Sequence, residues 1–170
     1  MTDPQKPLEL GPLAIEHTYV FEAFDKDGRL KWREEVKNLV VTEGRNDVLD
    51  KYYKGSAYSA AHYLGLKGAG TIAAADTMAS HAGWSEVTGY SQGARQTLSW
   101  GTASSGSLAA SAATFSINAT VTVAGGFVTT NSTKGGTTGT LVGATDFAAS
   151  RSLISGDTLN VTVTASLTSS

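Results

Sequence analysis

The chain has 170 residues and a mass of 17.6 kDa, which is the size of one domain. Its net charge of -2 offers no basic surface to a nucleic acid, and the absence of cysteine excludes disulfides and thiolate metal sites. No apolar run approaches the ~20 residues that a membrane-spanning helix needs. We therefore expect neither a nucleic acid nor a membrane as a partner.

Residues 1–15 lack a periodic pattern and contain three prolines, at positions 4, 7 and 12. Such a segment cannot bury enough apolar surface to fold alone. We predict that it forms an extended N-terminal arm, and that residues 16–170 form a single β-rich domain.

The first element of that domain is predicted to be a β-hairpin over residues 16–42. Leu30, Trp32 and Val36 lie on one face of a period-2 pattern that ends at Lys37, with Glu34 as the one charged residue of that face, after the turn signal Asp25-Lys26-Asp27-Gly28. The two aspartates and the glycine also resemble the start of a calcium loop. The further ligands that such a loop needs are not at the required spacing, which favours the hairpin turn.

One short helix is predicted over residues 43–54, capped by Thr42 and ended by Gly55. Its apolar residues share one face of the helix: Val48, Leu49, Tyr52 and Tyr53. Strands are predicted between residues 58 and 168. The clearest are two long ones with strict alternation, over 115–123 and 159–167, which we expect to be central in a sheet or paired across subunits. The fold class is thus mainly β, an antiparallel β-sandwich or a jelly-roll-like domain.

A search for chemistry in the sequence finds no strong motif. The three histidines are far apart, and the local trio Asp76, Ser80 and His81 lacks the context of a catalytic triad, so a polar loop over 73–83 is favoured. The segment 131–139 (NSTKGGTTG) has the wrong order for a phosphate loop and is predicted to be a flexible loop. We predict no catalytic, cofactor-binding or metal-binding residue.

Sugar binding is an alternative function that three aromatic residues leave open: Trp84, Tyr90 and Trp100. If they were exposed together they would form a platform for a sugar, whereas core or interface positions are the simpler interpretation.

Charge is distributed unevenly along the chain. Residues 1–54 hold 20 of the 28 charged side chains, and residues 55–170 hold the other 8. A body with so few charges is typical either of a threonine-coated β surface or of a surface covered by other protein.

The order of segments after residue 15 resembles a family of small tailed-phage proteins encoded among virion structural genes. The resemblance rests on six segments: FEAFDKDGRLKWREEVKNLVVTEG (21–44), NDVLDKYYKG (46–55), AAHYLGLKG (60–68), AADTMASHAGWSEVTGYS (74–91), TTNSTKGGTTGTLVG (129–143) and SGDTLNVTVT (155–164). It implies a virion component without catalytic activity, made in the host cytoplasm. A decoration (cement) protein on the capsid exterior is favoured over a tail or fibre subunit and over a carbohydrate-binding adhesin module.

Under this resemblance the expected partners are the major capsid protein and further copies of the chain, with a trimer favoured. Contacts to these partners are predicted from expected exposure rather than from a motif. The candidate contact residues are Pro7, Leu8, Leu10, Pro12, Leu13 and Lys134.

Overall fold

The computed structural model describes residues 13–58 and 61–169, and it is mainly β, as predicted. In chain order the elements are β1 (Leu13–Phe24), β2 (Leu30–Lys37), β3 (Leu39–Val40), α1 (Thr42–Tyr52), β4 (His62–Gly70), β5 (Trp84–Val87), β6 (Gln96–Leu98), β7 (Ser107–Ala109), β8 (Ala113–Ser116), β9 (Val121–Thr129), β10 (Leu141–Leu153) and β11 (Thr158–Ser169). They form two antiparallel sheets, consistent with a β-sandwich.

The first sheet has the order β2-β1-β11, with β7 and β8 both paired to the far side of β11. The strands β1 and β11 pair over their full length, from Leu13 opposite Ser169 to Phe24 opposite Thr158. The predicted central position of the 159–167 strand is therefore confirmed. Its side chains Leu159, Val161 and Val163 are fully buried, because every second residue faces the core.

The second sheet has the order β3-β10-β9-β4, with β5 and β6 both paired to β4. Its two faces are both covered. One face packs on the main core, and the other packs under α1 and the 71–83 loop, where Val41, Met78, Trp84, Phe127 and Leu141 form a second apolar cluster. The strand β9 is buried without interruption from Val123 to Thr129, since neither of its faces reaches water.

The predicted hairpin is confirmed, although it is shorter than residues 16–42. Asp25 closes its turn, because Oδ1 accepts hydrogen bonds from the backbone N–H groups of Asp27 and Arg29, both at 2.9 Å. Gly28 supplies the positive φ of 78°. The strand β2 ends at Lys37, and Leu39–Val40 already pair with β10 in the second sheet.

The predicted boundary of the N-terminal arm at residue 15 is wrong. Residues 13–15 belong to β1, since the ladder with β11 extends to Leu13. Residues 1–12, on which the rest of the predicted arm falls, lie outside the described residues.

The helix is confirmed, but its predicted cap and its end differ. Val41 occupies the N-cap position without a side-chain hydrogen bond, and Thr42 is the first helical residue. The helix lies against β10 at Gly44, where a Cβ atom would come within 2.1 Å of the Val142 carbonyl oxygen. This contact leaves room only for glycine.

The predicted long strand over 115–123 is wrong, because the chain changes sheets within it. Residues Ala113–Ser116 pair with β11 in the first sheet, whereas Val121–Thr129 pair with β10 and β4 in the second. The alternation of apolar residues continues through the crossing because both strands contribute to the same core. Isolated bridges between Tyr90 and Ile117 and between Trp100 and Ala110 join the sheets on this side.

The opposite side of the sandwich is closed by a bend in β10. The register with β9 shifts between Asp146 and Arg151. Phe147 enters the core there, with its ring 4.6 Å from the ring centroid of Phe21. Arg151 donates to Glu34 of β2 at 2.8 Å, so that β10 contacts both sheets.

Candidate interaction surface

One face of α1 is exposed although the sequence pattern is typical of a packed helix. The exposed fractions are 54% for Leu49, 80% for Tyr52 and 74% for Tyr53, and the two tyrosine rings meet edge to face at 5.0 Å. The helix is held by its first turn instead, where Glu43 accepts a 2.7 Å hydrogen bond from the backbone N–H of Leu141. Sequence reasoning missed this surface because its only signal was the apolar stripe, which a buried helix also has.

A groove runs beside this face and encloses about 360 Å³. Lys51 closes one part of it by donating a 2.6 Å hydrogen bond to the carbonyl oxygen of Ala57. Tyr58, which is 64% exposed, also lines the groove. We call this feature the tyrosine groove, and its lining residues are Asp47, Val48, Lys51, Tyr52, Tyr58 and His62.

His62 lines this groove and influences the charge of His17, a residue of β1 that is distant in sequence. Burial, with a smaller contribution from His62, lowers the pKa of His17 to about 4. Burial also lowers the pKa of His62, against the opposing effect of Asp47. The Nδ1 atom of His62 accepts a hydrogen bond from Trp100 Nε1 at 3.2 Å. Both imidazoles are therefore neutral at pH 7.

Asp76, Ser80 and His81 bond to different partners and not to one another. Asp76 Oδ2 accepts hydrogen bonds from Trp84 Nε1 and from the backbone N–H of Ala73, both at 2.9 Å. His81 stacks on the Trp84 ring at 4.1 Å, and its Nδ1 atom lies 3.2 Å from the Trp84 carbonyl oxygen. The backbone N–H of Ser80 bonds to Thr77. The interpretation of 73–83 as a polar loop is the one that these contacts support.

A shallow cleft of about 460 Å³ lies between residues 79–88 and 135–137. His81 and Trp84 line one side, and Gly135 and Gly136 line the other. The Glu86 carboxylate in this cleft is already occupied by Arg95 and by the backbone N–H of Gly135. These bonds of the Glu86 carboxylate thus join the walls of the cleft.

The sugar platform considered for Trp84, Tyr90 and Trp100 is not formed. Trp84 and Tyr90 are 6% and 1% exposed. Each of the three rings packs in a different place: against Phe127, against Phe115 and against His62. Burial raises the pKa of the Tyr90 hydroxyl, an effect that the neighbouring Glu86 adds to and Arg95 opposes.

The segment 131–139 is held by a buried arginine, so the prediction of a flexible loop is wrong. The guanidinium group of Arg95 bonds to both Glu86 oxygens, at 3.1 and 2.8 Å. It also donates to the carbonyl oxygens of Asn131 at 2.9 Å and Gly136 at 2.6 Å. The guanidinium group thereby holds the loop at its first residue and near its middle.

The side chain of Lys134, the predicted partner contact of this loop, makes hydrogen bonds within the protein. Its ammonium group donates to the carbonyl oxygens of Tyr90 at 3.0 Å and Gln92 at 2.7 Å, and it lies 4.3 Å from the centroid of the Tyr90 ring. These contacts bind the side chain inside the protein. Of the other predicted contacts, Leu13 is the first residue of β1, and Pro7, Leu8, Leu10 and Pro12 lie outside the described residues.

Every charged side chain of residues 55–170 forms a hydrogen bond or an ion pair within the protein. Lys67 is fully buried and bonds to Asp146 and to the carbonyl oxygens of Gly68 and Gly70. Asp157 bonds to Lys31 of β2. The eight side chains are Lys67, Asp76, Glu86, Arg95, Lys134, Asp146, Arg151 and Asp157. Six of these eight side chains pair with an opposite charge, whereas Asp76 and Lys134 are bonded to neutral groups.

Two observations complete the description of the surface. Within residues 13–58 and 61–169, no three histidine or carboxylate side chains gather as a metal site. The described part of the chain contains no helix long and apolar enough to cross a membrane.

No protein-family model matches the sequence, and no curated protein is significantly similar to it.

Proposed function

We propose that this protein is a non-enzymatic structural protein of a tailed-bacteriophage virion. In this proposal it decorates the outside of the capsid and stabilises the lattice of the major capsid protein. The segment order that resembles small virion proteins supports the class of function. The observation that carries the proposal is that all eight charged side chains of residues 55–170 form hydrogen bonds or ion pairs within the protein.

Internal pairing matters because protein contacts remove surface from water. A charge that is buried without a partner costs several kcal/mol. A surface of alanine, glycine, serine and threonine, whose few charged side chains already have hydrogen-bond partners, can be covered at a smaller cost. The Arg95 clamp and the closed sides of the sandwich also fix this surface before binding, which reduces the entropy lost on association.

Decoration stabilises a lattice by mass action. A protein that binds assembled capsid subunits, and not separate ones, lowers the free energy of the assembled state by RT ln(1 + [L]/Kd). Self-association, as a trimer in this proposal, places several copies of one weak contact around a local symmetry axis. The contacts then act together through avidity.

The direct test is cryo-electron microscopy of the virion, together with addition of the purified protein to capsids that lack it. We expect density on the capsid exterior at local symmetry axes and a higher melting temperature of the decorated capsids. Density along the tail axis or in fibres would replace the decoration role by the tail or fibre alternative. Absence from the particle would overturn the proposal.

Single charges placed on the neutral body give a sharper test. Thr97→Glu, Thr114→Glu and Thr122→Glu each alter an exposed threonine on a different strand. At least one of them should weaken capsid binding by tenfold or more. Lys26→Gln, which changes the charge by the same amount in the exposed hairpin turn, is the control and should bind normally. Unchanged binding by all three threonine variants would show that the neutral body is not the contact surface.

A further inference from the structure

The segment that follows β6 carries the chain from the second sheet to the first. The strand β6 ends at Leu98, which is paired with His62 of β4. Residues 99–111 then form a hairpin whose two arms are joined by the bridge between Trp100 and Ala110. The second arm contains β7, which pairs with β11 of the first sheet. This segment, which we call the 99–111 hairpin, therefore spans the junction between the two sheets.

The 99–111 hairpin is bonded to each sheet through a different side chain. At the first sheet, Ser107 Oγ donates to the carbonyl oxygen of Ala165 at 3.3 Å. At the second sheet, Trp100 Nε1 donates to Nδ1 of His62 at 3.2 Å, and the two rings meet edge to face with their centroids 6.1 Å apart. Within residues 13–58 and 61–169, this is the only side-chain hydrogen bond between the hairpin and the second sheet. It therefore ties the hairpin to β4.

The bond between Trp100 and His62 requires a neutral imidazole. An indole N–H group can donate a hydrogen bond and cannot accept one, so Nδ1 of His62 must carry a lone pair and the proton must be on Nε2. The imidazolium ion carries a proton on both nitrogens, so neither nitrogen can accept, whichever way the ring is turned. Protonation of His62 therefore removes the bond and leaves two partly buried donors facing each other, which is unfavourable.

The groups around His62 determine when it takes up a proton. The titratable groups that face it are Asp47, Lys51, Tyr52 and Tyr58 in the tyrosine groove and the imidazole of His17 in β1. Burial lowers the pKa of His62 below 6.5, and Asp47 opposes this effect. The strands β6, β9 and β11 and the 99–111 hairpin contribute no charged residue. His62 is thus neutral at pH 7 and becomes charged only as the pH falls.

We propose that His62 is a proton-controlled latch for the 99–111 hairpin. Neutral His62 holds Trp100 on the second sheet, and protonated His62 releases it. The latch is closed above pH 6.5 and opens as the pH falls through the folded-state pKa of His62. The ladder between β7 and β11 contains no titratable group, so the hairpin stays on the first sheet while its contact with the second sheet opens. This inference concerns the free protein and does not depend on the proposed function.

The first experiment is an NMR titration of the full-length protein from pH 7 to pH 4. The imidazole resonances give the midpoints of His62 and His17 separately, and the hydrogen exchange of Trp100 Nε1–H, corrected for the intrinsic effect of pH, measures the release of the indole. We expect the protection of this N–H group to fall at least tenfold and to follow the midpoint of His62. His62→Asn keeps an acceptor near the position of Nδ1 and cannot be protonated, so its Trp100 indole should stay protected. Protection that follows His17, or that falls equally in His62→Asn, would overturn the proposal.

The second experiment uses the reciprocity of the same coupling. If the indole holds His62 in its neutral form, Trp100→Phe, which keeps an aromatic ring and removes the donor, must make His62 easier to protonate. We expect proton binding to His62 to become at least threefold tighter, so that its pKa moves toward 6.5, where the protein is still folded. Trp32→Phe is the matched control, because the Nε1 atom of this partly buried tryptophan has no hydrogen-bond partner among the described residues. An unchanged pKa of His62 in Trp100→Phe, or an equal rise in Trp32→Phe, would contradict the latch.

Discussion

At the scale of single residues, Gly44 decides whether α1 can lie on the second sheet. Gly44→Ala should destabilise the protein by about 3 kcal/mol, because the new Cβ atom would collide with the backbone carbonyl of Val142, which cannot move aside as a side chain can. Urea unfolding measures the change. Gly93→Ala is the matched control, since a Cβ atom there meets nothing within 4 Å. Equal stability of the two variants would contradict the close contact.

His17 gives the protein a pH-dependent stability. Its pKa falls from 6.5 to about 4 in the folded state, so the folded protein binds fewer protons than the unfolded chain in this interval. The stabilisation is complete above pH 6.5 and is lost as the pH falls toward 4. Protonation of a group buried beside His62 and hydrogen bonded to Asn38 is the cause. The loss should amount to about 3 kcal/mol.

Chemical denaturation at a series of pH values measures this effect. The slope of unfolding free energy against pH, between 4 and 6.5, should be smaller in His17→Gln than in the wild type. The absolute stability of the variant is not the readout, because the substitution also changes a buried contact. Identical slopes would show that His17 does not titrate as its burial requires.

At the scale of elements, β11 is the strand on which the first sheet depends. It pairs with β1, β7 and β8, and Val161 at its centre is fully buried. Val161→Asp should prevent folding, since it places an unpaired charge in the core. Thr162→Asp, on the opposite face of the strand, should leave a folded protein. Circular dichroism and size-exclusion chromatography distinguish the two outcomes, and a folded Val161→Asp protein would contradict the face assignment.

The helix and the strands also show where local sequence patterns are sufficient to predict the structure and where they are not. The hairpin, the helix and β11 could be predicted because turn residues and periodicity act within a few residues. The change of sheet between β8 and β9 could not, because Phe115 and Val123 lie on one alternating pattern and both enter the same core. Likewise, nothing in the sequence of residues 43–54 indicates that α1 contacts β10 through Gly44 while Tyr52 and Tyr53 stay exposed.

At the scale of the whole molecule, the low charge of the body was visible in the sequence, whereas the pairing of that charge was not. Lys67 and Asp146 are 79 residues apart, Glu34 and Arg151 are 117 apart, and the pair formed by Asp157 is separated by 126 residues. Only the topology brings such partners together. The same reason explains the contacts of Lys134, which was predicted to be exposed and which the fold places against Tyr90 and Gln92.

The division between the folded body and the N-terminal segment leads to the last prediction. Deletion of residues 2–12 removes nothing from β1, whose ladder with β11 begins at Leu13. The truncated protein should therefore keep its β-rich circular dichroism spectrum, and its melting temperature should fall by no more than a few degrees. In particles it should be incorporated less well than the full-length protein, because the proposed contacts Pro7, Leu8, Leu10 and Pro12 are gone. The deletion thus separates stability from assembly: an unfolded truncated protein would make the segment part of the core, and a folded one that decorates capsids normally would assign all binding to the neutral body.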